Sequence, residues 1–166
     1  MAKVIQWIDN INKGFKVIAS LSLAIMSIVI VVQVISRYFL HSTFSWSEEL
    51  ARYLMILTIL LGAALALRTQ SLIGLEIIAE NVSSGKRRVL KFFVYIVCLL
   101  FFIALLIFGL STVAAVEHQL SPALQISMSI PYTAIPLGAL ALIINTIAVL
   151  LELIKNKETI KNEGEI

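Results

Sequence analysis

Four long apolar stretches dominate the sequence, and polar residues are concentrated between them. The stretches cover residues 17–36, 46–67, 92–116 and 131–151. Each is long enough for an α-helix that crosses a hydrocarbon core, which needs roughly 20 residues. Apolar residues surround each predicted helix instead of forming a stripe, as is typical of helices embedded in lipid. The pattern therefore predicts an all-α integral membrane protein with four transmembrane helices.

Residues 1–16 have a different pattern, in which apolar and polar residues occupy opposite faces of a predicted helix. The apolar face consists of Val4, Ile8, Ile11 and Phe15, with Trp7 at its edge. This pattern is typical of a helix that lies in the membrane interface, anchored by those apolar side chains. The alternative is a helix packed on neighbouring protein. A weaker pattern over residues 71–82 predicts a second, less regular interfacial helix after the second span.

The composition excludes several classes of protein. Apolar residues make up 60% of the chain and charged residues only 14%, whereas a soluble domain has roughly a quarter charged residues. This balance excludes a water-soluble enzyme, a disordered tail and a nucleic-acid-binding protein. The single cysteine, Cys98, cannot form an internal disulfide.

The basic residues predict the orientation in the membrane. Eleven of the 13 lysines and arginines lie before the first span, between the second and third spans, or after the fourth. Short cytoplasmic loops carry such an excess. Both termini should therefore be cytoplasmic, with residues 152–166 as a cytoplasmic tail. Loops 37–45 and 117–130 should lie outside.

The segment from Ser36 to Tyr53 is the most informative polar segment near a membrane edge. Ser45 and Glu48 have the spacing of a capping box at a helix start, and Glu48 is four residues before Arg52, a favourable helical pair. Glu49 has no basic partner at that spacing. We predict an outer polar layer that consists of Gln33, Arg37, Glu48, Glu49 and Arg52. It could be a structural layer within the chain, a contact with another subunit, or part of a transport pathway.

Small and polar residues within the spans predict close helix packing. The pairs are Gly62 with Ala66 and Ala134 with Gly138, each four residues apart. The pattern leaves open whether the packed partner belongs to this chain. Asn145 should form a hydrogen bond across a helix contact, and Pro136 should bend the fourth helix or disturb its first turn.

No pattern in the sequence indicates catalysis. The two histidines, His41 and His118, fall in the outer loops, at the wrong depth for a haem held between spans. The sequence has no glycine-rich phosphate loop, no nucleophile with a base, and no metal-ligand spacing. We therefore predict neither an enzyme nor a bound cofactor.

The order of these features resembles the small membrane subunit of tripartite ATP-independent periplasmic (TRAP) transporters. The resemblance rests on "VISRYFL" at the end of the first span, "FSWSEELARYLM" at the start of the second, and "LRTQSLIGLEII" after it. Its most specific residues are Arg37, Tyr38, Trp46, Glu48, Glu49, Arg52 and Tyr53. A histidine-containing stretch expected after the second span is replaced here by "RTQSLIG", which leaves the role of that turn open.

The resemblance implies a non-catalytic subunit of the bacterial inner membrane that supports a large membrane subunit. It further implies that a periplasmic binding protein delivers an organic anion, such as a dicarboxylate or the sugar acid sialic acid, and that a sodium gradient drives uptake. The outer polar layer, Trp46 and Tyr53 would then be candidate contacts with the other subunits. The alternatives are a membrane anchor of a redox complex and a self-sufficient small channel or exporter.

Overall fold

The computed structural model describes residues 2–39, 44–69 and 84–163, and every regular element within them is helical. The helices are α1 (Ala2–Phe39), α2 (Ser45–Arg68), α3 (Ser84–Ala115), α4 (Ser129–Tyr132) and α5 (Ala134–Glu163). Four helical segments, in α1, α2, α3 and α4–α5, are long and apolar enough to cross a membrane. The predicted class, an all-α protein with four spans, is confirmed. The predicted second interfacial helix at 71–82 lies outside the described residues.

The amphipathic N-terminal segment forms the first turns of α1 and is not a separate helix. Helix α1 has 38 residues and therefore extends about 57 Å at 1.5 Å per residue. This length is well beyond that of a hydrocarbon core about 30 Å thick. Trp7 is 66% exposed, but Ile8 is only 5% exposed. Phe15 packs against the core, and Ile11 is half-buried. Much of the apolar face therefore contacts the chain itself, as in the alternative of a helix packed on protein.

The four long helices form a row in the order α1, α2, α5, α3. Helices α2 and α5 occupy the two inner places of the row. Half of the most apolar part of the fourth span (α4–α5) is buried, compared with 17% for α2 and 11% for each of the end helices α1 and α3. We call the end of the row where α1 ends and α2 begins the outer end, and the opposite end the inner end. Among the described residues, many large apolar side chains on the helices are exposed, and the row presents two broad apolar faces.

A glycine sets the closest contact between α2 and α5. A Cβ atom added at Gly138 would lie 2.4 Å from the Cβ of Leu60, so the two backbones approach as only glycine permits. In contrast, a Cβ at Gly62 would meet nothing within 4 Å. Of the two predicted small-residue pairs, the one that contains Gly138 thus packs within this chain, while Gly62 faces open space.

Asn145 joins three helices near the inner end. Its amide nitrogen donates to Asn12 Oδ1 and to the Ala64 carbonyl, both at 2.9 Å, and its oxygen accepts from Asn12 Nδ2 at 2.6 Å. Asn145 is fully buried, and these bonds satisfy groups that would otherwise be costly in an apolar surrounding. The predicted hydrogen bond across a helix contact is confirmed.

The fourth predicted span is interrupted at its outer end. Helix α4 stops at Tyr132 and α5 starts at Ala134, with Thr133 between them. Pro136 has no N–H to donate to the Tyr132 carbonyl, so the helical ladder cannot run through this point. The disturbance of the first turn is therefore as predicted. At the other end, α5 continues to Glu163, so most of the predicted tail is helical.

Candidate functional site

The outer end contains a cleft of about 520 Å³ between α1, α2 and the segment 122–135. All five residues of the predicted outer polar layer line it, together with Tyr53 and Tyr132. Trp46 does not line the cleft. It is exposed, and its ring centroid lies 6.2 Å from that of Phe44 at the cleft edge. The structure thus brings together polar residues from the first predicted span, the outer loop that follows it and the second predicted span.

Glu49 is the buried carboxylate of this site, at 8% exposure. Its Oε2 accepts the backbone N–H groups of Ala123 and Leu124 at 2.9 and 3.0 Å. Its Oε1 accepts the hydroxyl of Tyr53, which also lies 3.3 Å from the sulfur of Met128. Hydrogen bonds to an ionised acceptor are stronger than neutral ones. Glu49 therefore fixes the outer loop to α2.

The outer loop has a compact backbone structure of its own. The N–H of Ser121 donates to the Ile126 carbonyl, and the N–H of Met128 donates to the Gln119 carbonyl, both at 2.8 Å. Gln125 has a φ of 54°, and its side chain donates to the Ser121 carbonyl at 3.1 Å. Ser121 is completely buried. Because the turn at 122–125 is defined internally, Glu49 receives two adjacent N–H groups that already point the same way.

The other charged residues of the cleft remain accessible. Arg52 donates to Glu48 at 3.2 Å, and their side chains are 61% and 65% exposed, so this predicted helical pair contributes little to stability. Arg37 is exposed, and among the described residues it makes no hydrogen bond or ion pair. Gln33 is half-buried. Glu49 and Tyr53 therefore act within the chain, while Arg37 and the exposed Glu48–Arg52 pair are accessible to another molecule.

The predicted capping box at Ser45 is wrong. The N-cap of α2 is Phe44, in an extended conformation and with no side-chain cap, so Ser45 is already helical. The Ser47 hydroxyl donates to the Phe44 carbonyl at 2.6 Å. Because Ser45 already lies inside the helix, its hydroxyl is not at the cap position, and Glu48 pairs with Arg52 instead.

A second polar cluster, at the inner end, was not predicted. Arg68 donates to Asp9 Oδ1 at 2.9 Å and to both carboxylate oxygens of Glu152 at 2.8 and 3.0 Å. These residues belong to α2, α1 and α5. The sequence signal was weak: Asp9 is the single acidic residue before the first predicted span, and Glu152 directly follows the fourth. Within the described ranges, no group of three or more metal-ligating side chains is present.

We expect Glu49→Ala to release the outer loop while the spans stay folded. The substitution removes the acceptor for two N–H groups, and each such loss costs about 1–3 kcal/mol where the group stays unsolvated. Because the loop lies at the outer end, water should replace the lost bonds. Hydrogen–deuterium exchange of the Ala123 and Leu124 amides should therefore accelerate. Glu49→Gln, which keeps one acceptor oxygen, should show a smaller effect. Unchanged exchange in Glu49→Ala would contradict the role of Glu49.

Comparison with known proteins connects this arrangement to one family. A sequence model described as the DctQ component of tripartite ATP-independent periplasmic transporters matches residues 26–156. A Haemophilus influenzae protein named as a TRAP transporter small permease is 33% identical over 82 residues, which is 49% of this chain and 51% of that protein. The alignment thus spans about half the length of the curated relative that it matches. The family match includes both the outer cleft and Asn145.

Proposed function

Because the chain belongs to the DctQ component family of TRAP transporters, we propose that it is the small subunit of a sodium-driven transporter for an organic anion. The chain is a multi-pass membrane protein of this family. In the proposal, it sits in the bacterial inner membrane with both termini in the cytoplasm. A large membrane subunit carries the substrate and sodium sites, and a periplasmic binding protein delivers a dicarboxylate or a sugar acid such as sialic acid.

The family match over most of the chain carries this proposal, and the arrangement of the helices supports a scaffolding role. A row of four helices has two broad faces, and only α5 is half-buried by its neighbours. One of these faces would pack on the large subunit and the other would meet lipid. A static partner of this shape would hold the fixed part of the large subunit while the substrate domain moves.

The outer end supports a second part of the proposal, which concerns delivery of the substrate. Glu49 and Tyr53 fix the outer loop, so the surface formed by residues 117–128 keeps a defined shape. A fixed surface loses little conformational freedom on binding, which favours association. In the proposed orientation this loop faces the periplasm and offers a docking surface for the binding protein.

The test is uptake into proteoliposomes that contain the large subunit, this chain, or both, with the binding protein outside. We expect sodium-dependent uptake only when both membrane proteins are present, and co-purification of this chain with the large subunit. Uptake by this chain alone would show a self-sufficient transporter and contradict the proposal. A haem absorbance band in the purified chain would instead indicate an anchor of a redox complex.

A further inference from the structure

We propose that the outer cleft binds the headgroup of a zwitterionic phospholipid that carries a primary ammonium. Its phosphate would meet Arg37 and its ammonium would meet Glu48. The inference requires only that the row of helices crosses a membrane, and it requires none of the proposed partner proteins. Its failure would therefore leave the transport proposal untouched.

The cleft lies at the level where lipid headgroups are found. Arg37 is in the last turn of α1, and Glu48 is in the first turn of α2. Four aromatic side chains at the same two helix ends are exposed, namely Tyr38, Phe39, Phe44 and Trp46. Tyrosine and tryptophan are enriched at membrane–water interfaces. The charged mouth of the cleft therefore faces the headgroup region and not the hydrocarbon centre.

The charges in the cleft match a ligand that carries both signs. Its lining contains two arginines and two glutamates, so the formal sum is zero. Glu49 is buried and occupied by the outer loop, and Glu48 and Arg52 are paired but exposed. Arg37 is the cation without a partner among the described residues. An anionic lipid would satisfy Arg37 but would add a second negative charge beside Glu48. A zwitterion supplies a partner for each.

The geometry of hydrogen bonding favours a primary ammonium over a quaternary one. An ammonium such as that of ethanolamine donates charge-assisted hydrogen bonds to a carboxylate. The trimethylammonium of choline has no N–H to donate. Glu48 uses one oxygen for Arg52, at 3.2 Å, so its second oxygen can accept from the headgroup. This difference predicts selectivity between two zwitterionic lipids of the same net charge.

Part of the cleft lining is apolar. Ile56, Pro131 and Ile135 line the cleft together with Gln33, and the glycerol backbone and the first acyl carbons would lie against these apolar side chains. The volume of about 520 Å³ lies within the roughly 300–1,000 Å³ typical of small-molecule sites. A free phosphate would fill only a small part of this space and would leave the apolar wall exposed to water. The structure thus favours a lipid over a soluble anion.

The experiment is native mass spectrometry of the full-length chain after delipidation and addition of one lipid at a time. We expect adducts with phosphatidylethanolamine to exceed those with phosphatidylglycerol and phosphatidylcholine. Arg37→Gln should weaken ethanolamine-lipid binding roughly tenfold, as the loss of one charge-assisted hydrogen bond implies. Lys13→Gln is the matched control, because it removes the same charge from an exposed position at the inner end. It should bind like the wild type.

Four outcomes would overturn the proposal. Equal binding of all three lipids would show ordinary annular lipid, and equal ethanolamine-lipid binding by wild type and Arg37→Gln would exclude the cleft. Displacement of the lipid by millimolar inorganic phosphate would assign the site to a soluble anion. In the assembled transporter, a photocrosslinker placed at residue 37 should label lipid, and labelling of a protein alone would show that a partner subunit fills the cleft. Circular dichroism of each variant confirms that it is folded.

Discussion

Gly138→Ala should destabilise the folded chain by about 3 kcal/mol, at the upper end of what overpacking in a protein core usually costs. The added methyl group would lie 2.4 Å from the Cβ of Leu60 and 3.0 Å from its Cδ1. A Cβ atom cannot move away by rotation of its own side chain, so α2 and α5 would have to separate. Helix α5 lies between α2 and α3 in the row, and the separation would also strain the hydrogen bond from Asn145 to the Ala64 carbonyl.

Gly62→Ala provides a matched control on the neighbouring helix. A Cβ at Gly62 meets nothing within 4 Å, and alanine favours a helix over glycine by about 1 kcal/mol. The control should therefore be neutral or slightly stabilising in thermal unfolding of the detergent-solubilised protein. If Gly138→Ala melts at the same temperature as Gly62→Ala, the close approach of α2 and α5 is wrong. A loss of stability in Gly62→Ala seen only with the large subunit present would place that face in the subunit contact.

These two glycines show what sequence can and cannot predict about a membrane protein. Four spans follow from length and apolar content, because the bilayer imposes both. Small residues four apart indicate close packing, but the pattern is the same whether the partner helix belongs to the same chain or to another. Only the three-dimensional order α1, α2, α5, α3 distinguishes Gly138 from Gly62.

Five polar residues that line the outer cleft and the Glu48–Arg52 pair were predictable from the sequence, but the bonds that Glu49 makes to the outer loop were not. Gln33, Arg37 and Glu49 could be grouped because the ends of two consecutive spans must lie at the same depth. Besides Tyr53, the partners of Glu49 are two backbone N–H groups more than 70 residues away, and a backbone donor leaves no trace in the sequence. The helix start was predicted one residue too late, with Ser45 as the N-cap instead of Phe44. Serine is a preferred N-cap residue and phenylalanine is not, so the residue types indicated the wrong position.

The continuity of α1 was also beyond the sequence pattern. Residues 1–16 have an amphipathic pattern and residues 17–36 do not, which suggests a boundary between them. No proline or other helix-breaking signal lies at that position, and Gly14 alone costs the helix only about 1 kcal/mol. Burial of Ile8 and the bonds of Asn12 to Asn145 offset that cost and hold the first turns in line with the span.

The second large effect should come from the inner cluster, where we expect Arg68→Met to destabilise the chain by about 2–3 kcal/mol. Breaking a buried ion pair by removing one partner costs about 3–5 kcal/mol. The Arg68 side chain is only 15% exposed, but those of Asp9 and Glu152 are 47% and 31% exposed. We expect the lower value because water can solvate the two carboxylates that lose their partner. Methionine fills a similar volume, so the loss reports on charge and not on a cavity.

The origin of that loss can be separated with two further variants. Arg68→Lys keeps the charge but cannot bind two carboxylates through a planar fork, so it should fall between wild type and Arg68→Met. Adding Asp9→Asn and Glu152→Gln to Arg68→Met removes the two unpaired carboxylates and should restore much of the thermal stability in detergent. Such recovery is expected if the cluster mainly avoids an uncompensated charge between three helices. If Arg68→Met alone unfolds at the wild-type temperature, Arg68 does not hold the inner ends of α1, α2 and α5 together.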